Sequence, residues 1–171
     1  MIKYFSALVA LIVVGWGSYT FINKDLYPVA LVNWRPVTAR EWSRVFTPTI
    51  AYYQTLKKPE VSDQVFKEEM RRAVLDKLIE QRLIYQRINQ ADIETQISTL
   101  LAQNQNLKAG SEKLYNMSWA NFQELVLRPQ VALELMGKQL ADNNQKIEDW
   151  LKQQKTAATV FVFARGFSWN G

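Results

Sequence analysis

The chain opens with an uncharged run of 19 residues, Tyr4 to Ile22, and only beyond it do apolar and polar positions alternate in a readable rhythm. As a helix that run is about 28 Å long, close to the roughly 30 Å of a bilayer's hydrocarbon core. It predicts one membrane crossing, with Tyr4, Leu8, Leu11, Val14, Trp16 and Ile22 along the span. Tyr4 at one end and Trp16 and Tyr19 at the other suit the two interfaces, and Lys3 with the free amine favours an amino terminus on the inside. The expectation is a single-pass anchor over residues 1–24 in the cytoplasmic (inner) membrane, with a body, residues 25–171, on the extracytoplasmic side. The alternative is a secreted body after signal cleavage near Gly17, since Leu8–Val14 forms a short apolar core and Gly15 and Gly17 supply small residues. Tyr19, Phe21 and Ile22 prolong the apolar run past that point, which favours the anchor.

The rhythm of the body is mainly helical. Pro28–Trp34 is a short apolar run with β-branched Val29 and Val32, read as a strand ended by a turn at Asn33–Pro36. Thr38 and Glu41 stand in capping-box spacing and open a helix carrying Trp42, Val45, Phe46, Ile50 and Tyr53, which Pro48 is expected to kink or split. A long helix from Ser62 or Asp63 to about Ile88 has an apolar stripe from Val65 to Ile88, wide enough to be the central core element. Asp92 is read as the cap of a third helix bearing Ile93, Ile97, Leu100 and Leu101. A loop at Lys108–Ser111, a short helix at 112–115 and a helix capped by Ser118 follow. Pro129 should bend the last of these, because it leaves the Leu125 carbonyl without its donor. A final helix over 144–155 and an apolar β-rich tail, Thr159–Ala164, complete the pattern. Each lone strand would be an exposed edge, so the first and last are expected to pair. The fold class is mainly α: about five helices with a small two-stranded sheet.

Composition narrows the chemistry. The 171 residues include no Cys and no His, which removes disulfides, thiol nucleophiles, thiolate metal sites and the usual general base. Without His, Ser118 and Thr38 are caps rather than nucleophiles. Carboxylates at Glu68, Glu69, Asp76 and Glu80 stand among Arg72, Lys77 and Arg82, the pattern of a solvated salt-bridge face rather than an acid–base pair. No catalytic residue, metal site or cofactor is expected. The formal charge is +5. Setting aside Lys3 and Lys24 leaves 19 basic against 16 acidic residues, dispersed in small clusters, so no nucleic-acid interface is expected.

Three segments carry a family resemblance. Pro28–Trp42 runs as a valine-rich strand, an Asn, a turn, and a Thr that opens a helix; Arg72–Ile84 repeats paired apolar residues every four to five positions; Leu114–Phe122 places a Tyr-containing turn before a Ser cap, with Arg128-Pro129 beyond. This order resembles the amino-terminal chaperone domain of SurA, PrsA and PpiD, which is related to the helical arms of trigger factor. It covers about residues 28–155. Trp34 departs from the pattern, standing where that family has a small residue. The resemblance implies a helical body that holds unfolded, exported polypeptides on a concave, partly apolar surface. Members of the family commonly carry a parvulin isomerase domain whose site includes His, so with no His present isomerase activity is not carried over and the chain is read as a non-enzyme.

Aromatic residues are the remaining candidates. Among Trp34, Trp42, Phe46, Tyr52, Tyr53, Trp119 and Trp150, the expected client contacts are Trp42, Phe46 and Tyr53 on the first helix of the body. Two readings stay open: a chaperone that takes many unfolded clients, and a structural or adaptor subunit that holds one folded partner in the cell envelope.

Overall fold

The computed structural model describes residues 24–55, 64–104, 106–110 and 117–164. Within them the order is β1 (Pro28–Val32), β2 (Arg35–Thr38), α1 (Ala39–Thr55), α2 (Gln64–Arg87), α3 (Gln90–Gln103), α4 (Trp119–Phe122), a π-helical turn (Gln123–Leu127), α5 (Arg128–Ala141), α6 (Ile147–Ala157) and β3 (Val160–Val162). The expected membrane span at residues 4–22 and the short helix expected at 112–115 lie outside the described residues. Among the described residues no helix is long and apolar enough to cross a membrane.

The fold is mainly helical as expected, with two corrections. Six α-helices, not five, are present among the described residues. The sheet has three antiparallel strands in the order β2-β1-β3, not two. The first and last strands do pair, Leu31 opposite Phe161. The additional strand is Arg35–Thr38, read from sequence as turn and cap. It forms because Asn33 and Trp34 both take positive φ, 48° and 65°. These values make the two-residue turn that matches strand twist and folds Arg35 back opposite Val32.

The capping box closes as the spacing predicts. The Thr38 amide donates to Glu41 Oε2 at 2.8 Å, and the Glu41 amide donates to Thr38 Oγ1 at 3.2 Å. The other carboxylate oxygen of Glu41 accepts from Arg82 Nη2 at 2.8 Å, so one side chain both starts α1 and ties it to α2. Pro48 does not split α1, which runs unbroken from Ala39 to Thr55. One carbonyl, that of Arg44, loses its usual donor there. The neighbouring Val45 carbonyl is bonded by the Thr49 hydroxyl at 2.7 Å.

Three other boundaries move, one of them that of the last helix, which runs from Ile147 to Ala157 rather than over 144–155. α3 is capped by Asn89, whose side chain accepts from the Ala91 amide, and not by Asp92, which lies in its first turn. The expected loop at 108–111 begins with a helical turn over 107–110. Ser118 caps α4 as expected, accepting from the Asn121 amide. Pro129 takes effect as a π-turn just before it, in which the Arg128 amide donates to the Gln123 carbonyl five residues back. Shifting the ladder by one residue places Pro129 in the first turn of α5, where a missing N–H costs nothing.

α2 is the central element. It packs on α1, α5, α6, β1 and β2. Val74, Leu75, Leu78, Ile79 and Leu83 join Ala30, Val32 and Val37 in a core beneath the sheet. From the next residue on, Ile84 and Ile88 enter a second core with Ile93, Ile97, Val131, Met136, Leu140 and Trp150. Ion pairs brace the same helices: Lys155 Nζ on α6 reaches Asp76 at 2.9 Å and Glu80 at 2.8 Å, and Arg44 on α1 reaches Glu124 at 3.4 Å. Arg128 and Glu94 pair between α5 and α3. Of the carboxylates that the sequence assigns to a salt-bridge face, Glu68, Asp76 and Glu80 stand in ion pairs, the last two with Lys155 on another helix.

Candidate functional site

The turn that creates β2 also puts an aromatic ring in solvent. A non-glycine residue in the left-handed region costs about 1–2 kcal/mol, yet Trp34 occupies it and is 76% exposed. Its ring lies 5.8 Å from that of Phe161. Strand alternation explains the neighbourhood: Val160 and Val162 pack toward the core, which turns Phe161 and Phe163 outward, 46% and 56% exposed. Leu31, opposite both Pro36 and Phe161, lies on this outer face. The sheet therefore presents an apolar outer surface rather than the polar one that a small half-buried sheet normally shows water.

At one corner this surface runs into a cleft of about 440 Å³ between the sheet and the first two helices, lined by Tyr27, Val29, Trp42, Leu75 and Phe163 with Ser43 and Arg71. Trp42 is held there by two contacts, and a third braces its partners. Its ring stacks on Phe46 at 4.7 Å, its Nε1 donates to the Arg71 carbonyl at 3.4 Å, and the Arg71 guanidinium lies 5.8 Å from the Phe46 ring centre. Arg71 Nη1 pairs with Glu68 at 2.9 Å, while its buried Nε has no hydrogen-bond partner among the described residues.

The three residues singled out from sequence thus fall into two groups. Trp42 and Phe46 form one stacked unit, with Trp42 on the cleft wall. Tyr53 lies three turns along α1 and meets α2 through an edge contact with Phe66 at 5.6 Å. All three are half-buried. The more exposed aromatics are Trp34, Tyr52, Phe161, Phe163 and Tyr27. Of the other tryptophans, Trp150 is buried in the helical core and Trp119 packs against it. The aromatics singled out from sequence are those of the helices and Trp34, and they do not include Phe161 and Phe163 at the end of the last strand. The signal was the two-residue spacing of Phe161 and Phe163, which places both on one face.

Two titratable groups are shifted by their surroundings. Burial pushes the Tyr85 hydroxyl up, partly offset by Arg128 and Arg82. Burial pulls the Lys155 ammonium down, but hydrogen bonds to Glu80 and Asp76 outweigh it and the net shift is upward. Neither group lines the cleft. Among the described residues no cluster of His, Cys, Asp and Glu is placed to hold a metal ion. What the arrangement offers is contact area: aromatic rings on a rigid sheet, a cleft beside them, and one guanidinium at its wall.

Neither a curated protein nor a solved structure matches the chain. A sequence model of the SurA-like N-terminal domain matches residues 1–122, a stretch that takes in the sheet hairpin, α1, α2, α3 and α4. With most of its length matched, this chain belongs to the SurA-like N-terminal domain family, a chaperone-like family.

Proposed function

We propose that the chain is a membrane-anchored, extracytoplasmic chaperone module that holds unfolded or exported polypeptides and performs no isomerisation of its own. The observation that carries this reading is the continuity of the apolar surface. Trp34 touches Phe161, Phe163 is exposed two residues on, just past the end of β3, and Phe163 shares the cleft with Tyr27 and Trp42. Apolar contact is non-directional and tolerant of sequence, which suits a surface that meets many unfolded chains. Family membership supports the same role.

In this reading the uncharged run at residues 4–22 anchors the body to the inner membrane, and clients meet Trp42 and Phe46 at the cleft and Tyr53 farther along α1. The test uses the full chain in lipid nanodiscs, with light scattering of several unrelated unfolded proteins as readout. Suppression of aggregation across clients at up to equimolar ratio is the expected result. Suppression of none, by a chain whose circular dichroism is that of a folded helical protein, would favour an adaptor for one folded partner. The slow proline-limited phase of a refolding client should keep its rate.

A further inference from the structure

The body is tied in close to the end of the uncharged run. The Arg40 amide donates to the Asp25 carbonyl at 2.7 Å and the Ala39 amide to the Tyr27 carbonyl at 2.9 Å, so from Asp25 onward the chain is fixed to the start of α1. Only Asn23 and Lys24 separate Asp25 from Ile22, where the run ends. Fully extended, the step from Ile22 to Asp25 reaches about 10 Å. With residues 4–22 across the bilayer, this corner of the body is therefore held against the lipid headgroups. The exposed aromatics of the sheet begin at that corner. Tyr27 stands just before β1 and shares the cleft with Phe163, and Phe161 and Trp34 continue across the outer face. The charge agrees with such a neighbour. Residues 26–40 and 159–164, which build the sheet and the start of α1, hold two charges, Arg35 and Arg40, both exposed, and no acidic residue. An aromatic surface with cations near it and no carboxylate has the composition of a membrane interface, where Trp and Tyr rings settle at headgroup level and basic side chains are drawn to anionic lipids.

We infer that the outer face of the sheet rests on the headgroup region of a bilayer containing anionic lipid while no client is bound. The inference rests on the anchoring and holding reading above and adds where the holding surface lies at rest. The short tether is what selects the bilayer as occupant, since it keeps this face beside lipid at all times. Apolar contact is non-directional, so the rings that meet lipid also meet an unfolded chain, and a client takes the face by displacing lipid from it. The membrane thus shields Trp34, which is 76% exposed on the body alone, from other apolar surfaces.

The test uses the full chain in nanodiscs of phosphatidylcholine and phosphatidylglycerol, with and without phosphatidylcholine spin-labelled near its headgroup, a quencher of tryptophan fluorescence. The share of Trp34 is the difference between wild type and Trp34→Phe, and that of Trp16, inside the uncharged run, comes from Trp16→Phe. The labelled lipid should cut the Trp34 share by about twofold or more, and saturating unfolded client should restore it. A bimane label on Pro36→Cys, the sole thiol in a chain without Cys, reads the same face and decides the matter where Trp34→Phe does not fold. Quenching of Trp16 with Trp34 unaffected overturns the lipid contact and leaves the anchor standing. Quenching of Trp34 without Trp16 upholds the contact and sinks the anchor. A Trp34 share that responds only after deletion of residues 165–171 assigns the face to that segment and overturns the proposal. Equal quenching in nanodiscs of phosphatidylcholine alone overturns the preference for anionic lipid. Aggregation suppression by the same nanodiscs is read separately. Suppression with Trp34 unquenched overturns the lipid contact alone, whereas quenching without suppression upholds it and sinks the holding reading. Quenching that survives saturating client at full suppression overturns the shared use of the face.

Discussion

Lys155→Met removes one charge from the junction of α2 and α6 and keeps most of the aliphatic stem. Lys155 is 21% exposed and donates to Asp76 at 2.9 and 3.0 Å and to Glu80 at 2.8 Å. Hydrogen bonds between charged groups contribute about 1.5–3 kcal/mol each when sheltered, whereas exposed pairs contribute about 0–1 kcal/mol. Glu80 is sheltered at 19% exposure, but Asp76 is 46% exposed and water screens its share. Lys77 also stays within 3.3 Å of Glu80, so that carboxylate is not abandoned. The sheltered bond at full weight and the screened pair at a fraction give a loss of about 2 kcal/mol. For a domain of this size that is a fall in Tm of about 4–8 °C. The sign of the pH dependence follows from the raised Lys155 pKa. The contribution is complete below the ordinary lysine value of about 10.4 and vanishes as pH climbs through the raised value. Thermal unfolding of wild type and Lys155→Met across neutral to alkaline pH reads both effects, and a cycle with Glu80→Gln isolates the pair. A loss under about 0.5 kcal/mol at neutral pH, or a gap that does not narrow above the lysine range, would refute the reasoning.

Three further outcomes are expected. Ile79→Ala, at a fully buried position beneath the sheet, should cost about 2–5 kcal/mol in denaturant unfolding. Asn33→Ala should lose about 2–3 kcal/mol, because Ala resists the positive φ and the bonds to the Thr159 amide and Gln86 disappear; Asn33→Gly, which keeps the φ, should lose less, and chemical denaturation of the pair tests the split. Thr38→Ala should weaken the start of α1 by about 1 kcal/mol, read by the same method.

What was legible in the sequence is what short-range chemistry decides. Thr38 and Glu41 are three residues apart and need no tertiary partner, so the capping box reads directly; that Glu41 also holds Arg82, 41 positions away, does not. The apolar stripe of α2 marked it as central, yet its periodicity could not tell that the stripe serves two cores, with the division between Leu83 and Ile84. β2 was hidden because Arg35-Pro36 resembles a loop, and because a turn with two positive φ values usually announces itself with Gly, where this chain has Trp34. Pro129 signalled a disturbance but not its form, since a bend and a π-turn remove the same bond. At α3 two residues of the capping type, Asn89 and Asp92, stand three apart, and only the helix geometry selects the first. The candidate surface was legible on its helical side, where Trp42 lines the cleft. Its sheet side was missed because Trp34 and Phe161 are 127 positions apart and meet only through the pairing of β1 and β3.

The central claim is that an apolar surface centred on the sheet holds unfolded chains. The direct measurement compares wild type with Trp34→Ser/Phe161→Ser/Phe163→Ser, three outward-facing changes that leave both cores untouched, in aggregation suppression of several unrelated unfolded clients by the full chain in nanodiscs. Loss of suppression across all clients at unchanged helical content and Tm is the predicted result. Undiminished suppression by the folded triple variant would contradict the account.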